Sequence, residues 1–283
     1  MKQQRAPVTV SLVALMLLVQ AYAAERDDAD DELLARGEYL TAAAGCVSCH
    51  TDTENDGAPF AGSYPLETPF GTFYTPNITP DIETGIGGWS DDEFLAAIKH
   101  GIAPDGSRYY PAFPYPSYAG MSDADVLLIK TYLESLAPVA TSVPADELRW
   151  FVPGGWSLGI WQQLFAPWEY PEAPEEHARG AYLVRHLGHC GECHTPRNLA
   201  GQLQLSRDLR GSPKDSAGSS APPIDAASLR EGGWSAGDLE FFLEIGMLPD
   251  GDFAGGSMTA VIDDNTGKLT AADRAAIARY LLR

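Results

Sequence analysis

Two short stretches contain all four cysteines of the chain: Cys46-Val47-Ser48-Cys49-His50 and Cys190-Gly191-Glu192-Cys193-His194. Cys-x-x-Cys-His is the attachment signature of haem c. The two thiols form thioether bonds to the porphyrin, and the adjacent histidine reaches the iron as proximal ligand. The spacing suits that chemistry, because sulfurs on one turn meet the ring edge while the next side chain sits beneath the metal. One copy alone also fits a redox-active dithiol or half of a zinc site. Two copies, each ending in histidine, predict two covalently attached haem c groups with His50 and His194 as proximal ligands, and leave no thiol for a disulfide.

Each iron then needs a ligand on its far side. Beyond residue 23 the methionines are Met121, Met247 and Met258. Met258 stands in a Gly-Gly-Ser-Met-Thr loop and is the expected ligand of the second haem. Met247 aligns with Ile102 of the first repeat, which cannot bind iron, and is read as a packing residue. Met121 is the expected ligand of the first haem; its repeat partner is Leu269, so the two methionines come from different points of the loop. His100 competes with Met121, although it aligns with Ile245 and suits a solvated helix face. Methionine ligation raises the potential relative to a second histidine and leaves no open position for a small molecule. The expectation is a carrier of single electrons, with no catalysis of its own.

The elements that must position these groups occur twice. Ala35-Arg36-Gly37-Glu38-Tyr39-Leu40 recurs as Ala178-Arg179-Gly180-Ala181-Tyr182-Leu183, Gly87-Gly88-Trp89-Ser90 as Gly232-Gly233-Trp234-Ser235, and Pro104-Asp105-Gly106 as Pro249-Asp250-Gly251. Residues Ser122 to Leu133 align with Thr270 to Leu281. Landmarks in one order mean a duplicated unit. Each copy reads as three main helices with long loops: Leu33 to Ala44 and Ala178 to Leu187 come first. Ser90 and Ser235 are expected to cap the middle helices, and Ser122 and Thr270 the last ones. No alternating strands stand out, so the fold class is mostly α and loop-rich. The predicted organisation is two tandem units, 24–137 and 177–283, joined by a connector over 138–176. The connector is aromatic, and Leu158, Trp161, Phe165 and Trp168 fall on one helical stripe that packs between the units or docks a partner. Arg197 and Asn198 are candidates for contacting haem propionates or for turn duty.

The first residues are a targeting segment. Lys2 and Arg5 precede an apolar run from Val8 to Val19 and the small-x-small pattern Ala21-Tyr22-Ala23, which predicts a cleaved signal peptide over 1–23 and a periplasmic location. The apolar run is shorter than the ~20 residues of a spanning helix, and no transmembrane anchor is expected in the mature chain. The formal charge of −20, more negative still without Lys2 and Arg5, excludes nucleic acid and anionic lipid as partners and steers the chain toward basic protein surfaces.

With these residues in view, the sequence resembles the diheme and multiheme cytochrome c subunits of bacterial alcohol, aldehyde and sugar-acid dehydrogenases. The shared wording is Thr75-Pro76-Asn77-Ile78-Thr79-Pro80-Asp81, Tyr110-Pro111-Ala112-Phe113-Pro114-Tyr115, Met121-Ser122-Asp123, Leu187-Gly188-His189-Cys190, His194-Thr195-Pro196-Arg197-Asn198 and Gly255-Gly256-Ser257-Met258. The resemblance covers nearly all of the chain after the leader. It implies electron transfer from a dehydrogenase toward a respiratory acceptor, and it supports Met121 and Met258 as ligands. Some of the resembling proteins place a methionine at the position of Phe113, consistent with Met121 taking over here. Many also carry a third haem unit and a membrane anchor; with this chain ending at Arg283, only peripheral membrane contact is expected. A diheme peroxidase is the enzymatic alternative, with His100 as its distal group; a tethering subunit is the structural one.

Overall fold

The computed structural model describes residues 29–152, 154–166, 169–213 and 220–283. The expected signal peptide and Trp168 lie outside the described residues, as does the middle of the loop from Gly211 to Pro223.

Helix α1 covers 29–43 and runs directly into the turn α2 (Cys46–Cys49). A hairpin of β1 (Pro65–Thr68) and β2 (Gly71–Tyr74) follows, and β3 (Glu147–Leu148) pairs antiparallel with β2. The sequence shows no alternation there because half-buried positions face both sides of this small sheet, so the period-2 signal is missing. Next come α3 (Asp91–His100), α4 (Tyr115–Tyr118) and α5 (Asp123–Ser135). The connecting stretch holds α6 (Trp156–Phe165). The second repeat contains α7 (Ala178–Tyr182) with a π turn over Leu183–Leu187, α8 (Gly191–His194), α9 (Ala226–Glu231), α10 (Ala236–Ile245), α11 (Ser257–Asp264) and α12 (Ala271–Leu281). The protein is mostly helical.

Corresponding residues of the two repeats build corresponding contacts. Ser90 and Ser235 open α3 and α10 with full capping boxes, to Glu93 and Asp238, satisfying amides that the first turn leaves unpaired. Ser122 and Thr270 cap α5 and α12 through the Asp125 and Asp273 amides. The first and last helices cross at a glycine in each repeat. A β-carbon on Gly37 would lie 2.3 Å from the Leu128 carbonyl oxygen, and one on Gly180 would lie 2.2 Å from that of Ala276. Only a residue without a side chain lets the backbones approach that far. The core runs continuously across both repeats, from Leu40, Phe94, Val126 and Leu133 to Val184, Leu187, Ile277 and Tyr280.

Two reciprocal clamps join the repeats. The Tyr182 hydroxyl donates to Asp125 Oδ2 at 2.7 Å and accepts from the Ser122 amide at 3.4 Å. The Tyr39 hydroxyl donates to Asp273 Oδ2 at 2.5 Å and accepts from the Thr270 amide at 3.3 Å. Each tyrosine thus sits at the N-terminus of the other repeat's last helix. Each aspartate also receives an arginine of its own repeat, Arg36 at 3.0 Å and Arg179 at 2.6 Å. Farther along the seam, Ser48 donates to Asn265 at 3.0 Å and Ser117 donates to Glu192. The connector adds to this frame. On α6 Gln162 is buried and donates to the Gly101 carbonyl at 3.2 Å, while Trp161 Nε1 donates to Ala200 O at 2.6 Å.

Candidate haem sites

Each Cys-x-x-Cys-His motif forms one short helical turn closed by a backbone bond, His50 N to Cys46 O at 2.9 Å and His194 N to Cys190 O at 3.0 Å. The imidazoles that end these turns are held alike. His50 Nδ1 is 2.7 Å from Pro76 O, and His194 Nδ1 is 2.7 Å from Pro222 O. A carbonyl accepts only, so the proton resides on Nδ1 and the Nε2 lone pair is left for a metal, the usual outer-shell arrangement of a ligating histidine. Burial lowers the pKa of His50, countered by that carbonyl, which favours the neutral ligand form.

Why these carbonyls lie there follows from the loops behind each motif. Thr51 Oγ1 accepts from Phe60 N at 3.2 Å and Thr195 Oγ1 from Leu209 N at 2.9 Å. Phe60 and Leu209 both adopt left-handed backbone, φ 62 and 59, a conformation that side-chain-bearing residues keep only where the surroundings enforce it. Their carbonyls accept from Ile78 N at 2.9 Å and Ile224 N at 2.8 Å, two residues past the orienting prolines. Gly62 and Gly211 donate to the His50 and His194 carbonyls at 2.9 and 2.8 Å, closing the loop onto the histidine itself.

Cys46, Cys49 and Cys190 are not set up as thiolates. Burial and the neighbouring Cys49 push the Cys46 thiol up to about 12, and burial pushes Cys190 up to about 11. Redox-active pairs and zinc sites need the opposite shift. Among the described residues no group of three or more His, Cys, Asp or Glu side chains is placed to hold a metal ion.

Beside the first motif lies an apolar cavity lined by Ala44, Cys46, Phe94, Ile98, Tyr118, Met121, Val126 and Ile129. Met121 is 2% exposed, so the attachment cysteine and the expected distal methionine share one apolar space. These residues fit a porphyrin face. Met258 stands half-buried at the second position of α11, a helix that also packs against α2 of the first repeat. Met247 pairs with Phe253 in the bridge that Ile102 makes with Arg108, a backbone role shared between the repeats. His100 is exposed at the C-terminal end of α3.

The remaining candidates have local duties. Asn198 Oδ1 accepts from Ala200 N at 2.9 Å and Gln202 N at 3.1 Å, holding a turn. Arg197 pairs with the buried Glu192 and donates to Gly201 O at 2.7 Å. Trp89 and Trp234 pack beside Phe94 and Phe242. Sequence reasoning missed the seam residues Tyr39, Tyr182, Asp125 and Asp273, although Arg-Gly-x-Tyr recurs in both copies of the opening repeat.

The cytochrome c family model matches residues 34–137. The chain is 45% identical to the gluconate 2-dehydrogenase cytochrome c subunit of Pantoea cypripedii, over 96% of this chain and 64% of that protein. It is 43% identical to a diheme cytochrome c-type protein of Cereibacter sphaeroides, over 88% of this chain and 85% of that protein. Identity to the cytochrome c subunit of the quinone-type alcohol dehydrogenase of Gluconobacter oxydans is 37%, covering 94% of this chain and 58% of the other. The chain therefore spans under two thirds of the gluconate and alcohol relatives. It belongs to the cytochrome c family, whose members bind haem covalently.

Proposed function

We propose that this chain is a periplasmic diheme cytochrome that takes single electrons from a dehydrogenase partner and passes them to a respiratory acceptor. The observation that carries this reading is the matched pair of proximal sites, with His50 and His194 each fixed through Nδ1 by a prolyl carbonyl at 2.7 Å. Haem iron, when bound, supplies a one-electron couple. The chain's residues would do the rest: Cys46, Cys49, Cys190 and Cys193 would hold two haem c groups, with His50 and His194 presenting Nε2 and Met121 and Met258 as the thioether ligands. Phe94, Ile98, Val126 and Ile129 keep water from the first of these sites, which favours a higher potential.

The proposed units are a cleaved signal peptide over 1–23, cytochrome units over 24–137 and 177–283, and a connector over 138–176. No helix of the described residues is long and apolar enough to cross a membrane. The names of the relatives point to a dehydrogenase as donor. The peroxidase alternative gains no support, since His100 is exposed on α3 while Met121 lines the cavity beside Cys46.

Two measurements test the reading. The mass of denatured holoprotein is expected to exceed that of the mature chain by two haems; one haem or none overturns it. Reduction by a copurifying dehydrogenase is expected to slow as salt rises, because screening weakens the steering that a charge of −20 provides. A rate independent of salt removes the steering.

A further inference from the structure

The repeats differ at the residue before the first attachment cysteine. Gly45 precedes Cys46 with φ 72, whereas the same place before Cys190 is held by His189 with φ 37. Both are left-handed, a conformation that costs little for glycine and more for a residue with a β-carbon. The first repeat builds its motif without that cost, so the side chain of His189 needs another reason.

Its surroundings supply one. The His189 ring meets Tyr118 edge to face, with centroids 5.3 Å apart and planes at 83°, and it lies against the Ala44 backbone. Tyr118 Oη donates to Ala44 O at 2.7 Å in a buried hydrogen bond. Tyr118 also lines the cavity that holds Cys46 and Met121. From Cys190 the route is one peptide unit to His189, one ring contact to Tyr118, one hydrogen bond to Ala44 and two residues to Cys46.

We propose that the Tyr118–His189 contact is the crossing by which electrons pass between the two haem-attachment turns, and that His189 keeps its left-handed backbone to place its ring there. The proposal rests on the diheme reading above. Each crossing moves one electron: the ferrous side becomes ferric and the ferric side ferrous, with no bond made or broken and no proton transferred. His189 and Tyr118 act as positioning residues in this crossing.

The test uses holoprotein with both haems attached. One haem is reduced in a fast pulse and the redistribution of the electron is followed optically; midpoint potentials are measured separately. His189→Gly, the residue the first repeat uses, and His189→Asn, which tolerates the same backbone, are expected to slow redistribution by about tenfold, the low end for losing an outer-shell partner. Their melting temperatures are expected to equal or exceed that of the wild type, because strain is relieved. Tyr118→Phe keeps the ring and is expected to slow the exchange less. A shift of about threefold in electron distribution is also expected, roughly 28 mV for one electron. Wild-type rates and distribution in all three variants overturn the proposal and leave the diheme reading intact. A wild type with a single haem overturns the diheme reading instead.

Discussion

The two repeats hold His50 and His194 by the same contacts, yet their methionines stand at different points: Met121 directly before α5, Met258 at the start of α11. On the proximal side a threonine hydroxyl, a left-handed residue, a loop amide and a prolyl carbonyl recur position for position. The candidate distal ligands do not recur: Leu269 fills the place of Met121, and Phe113 packs among Tyr109, Tyr115 and Tyr118. The contrast has a physical basis. A histidine on a rigid turn must be aimed by its surroundings, whereas a thioether on a flexible side chain reaches a metal from several backbone positions.

The sharpest way to break this comparison is to exchange the distal side chains one at a time. Met121→His and Met258→His are each expected to lower the potential of one haem only, on the order of 0.1–0.3 V within the ~0.8 V that axial ligands span. The methionine–iron charge-transfer band should fall by half in each variant and vanish in the double. If Met258→His leaves spectrum and potentials unchanged, the second repeat draws its ligand from elsewhere, and Met247 becomes the candidate.

A second test asks whether the shared scaffold is equally necessary in both halves. Gly37→Ala and Gly180→Ala drive a β-carbon into a backbone oxygen, at 2.3 and 2.2 Å. Each is expected to lower stability by about 3 kcal/mol, the upper end for overpacking, read as loss of unfolding free energy in denaturant. Unequal costs would show that one crossing adapts where the other cannot.

Much of the proximal site was legible in the chain itself. Cys-x-x-Cys-His names its own chemistry, and the capped starts of α3, α5, α10 and α12 are written in Ser90, Ser122, Ser235 and Thr270. The seam was not legible, for two reasons. Tyr39 and Asp273 are 234 residues apart, and no local pattern ties a tyrosine on one helix to an aspartate at the start of another. Glu192 also reads as a variable residue inside a motif until the fold buries it beside Ser117 and Arg197. The small sheet of β1, β2 and β3 escaped notice because its two-residue partner strand β3 is 75 positions away along the chain in the Thr72–Glu147 pairing, with little alternation in either.

The smallest expected effect concerns the clamps, and it distinguishes the halves by pH. Burial, then the hydrogen bond to Asp125, pushes the Tyr182 phenol up to about 12 from its ordinary 10.0. Tyr39 is raised as well, by burial first and then by its bond to Asp273. A phenol whose folded-state pKa lies above the unfolded value contributes stability that is fully present below about pH 10 and is lost as pH climbs toward 12. Tyr182→Phe and Tyr39→Phe each remove one hydrogen bond to a carboxylate, an expected loss of about 1–2 kcal/mol at pH 7. The melting temperature of the wild type should fall between pH 10 and 12, with the fall reduced in Tyr182→Phe. Tyr109, Tyr115, Tyr118 and Tyr170 are raised by burial too, so the comparison must be variant against wild type at each pH. An alkaline fall of the same size in wild type and Tyr182→Phe would mean that the clamp at α5 is not what opens, and that the buried phenols around the haem-attachment turns give way first.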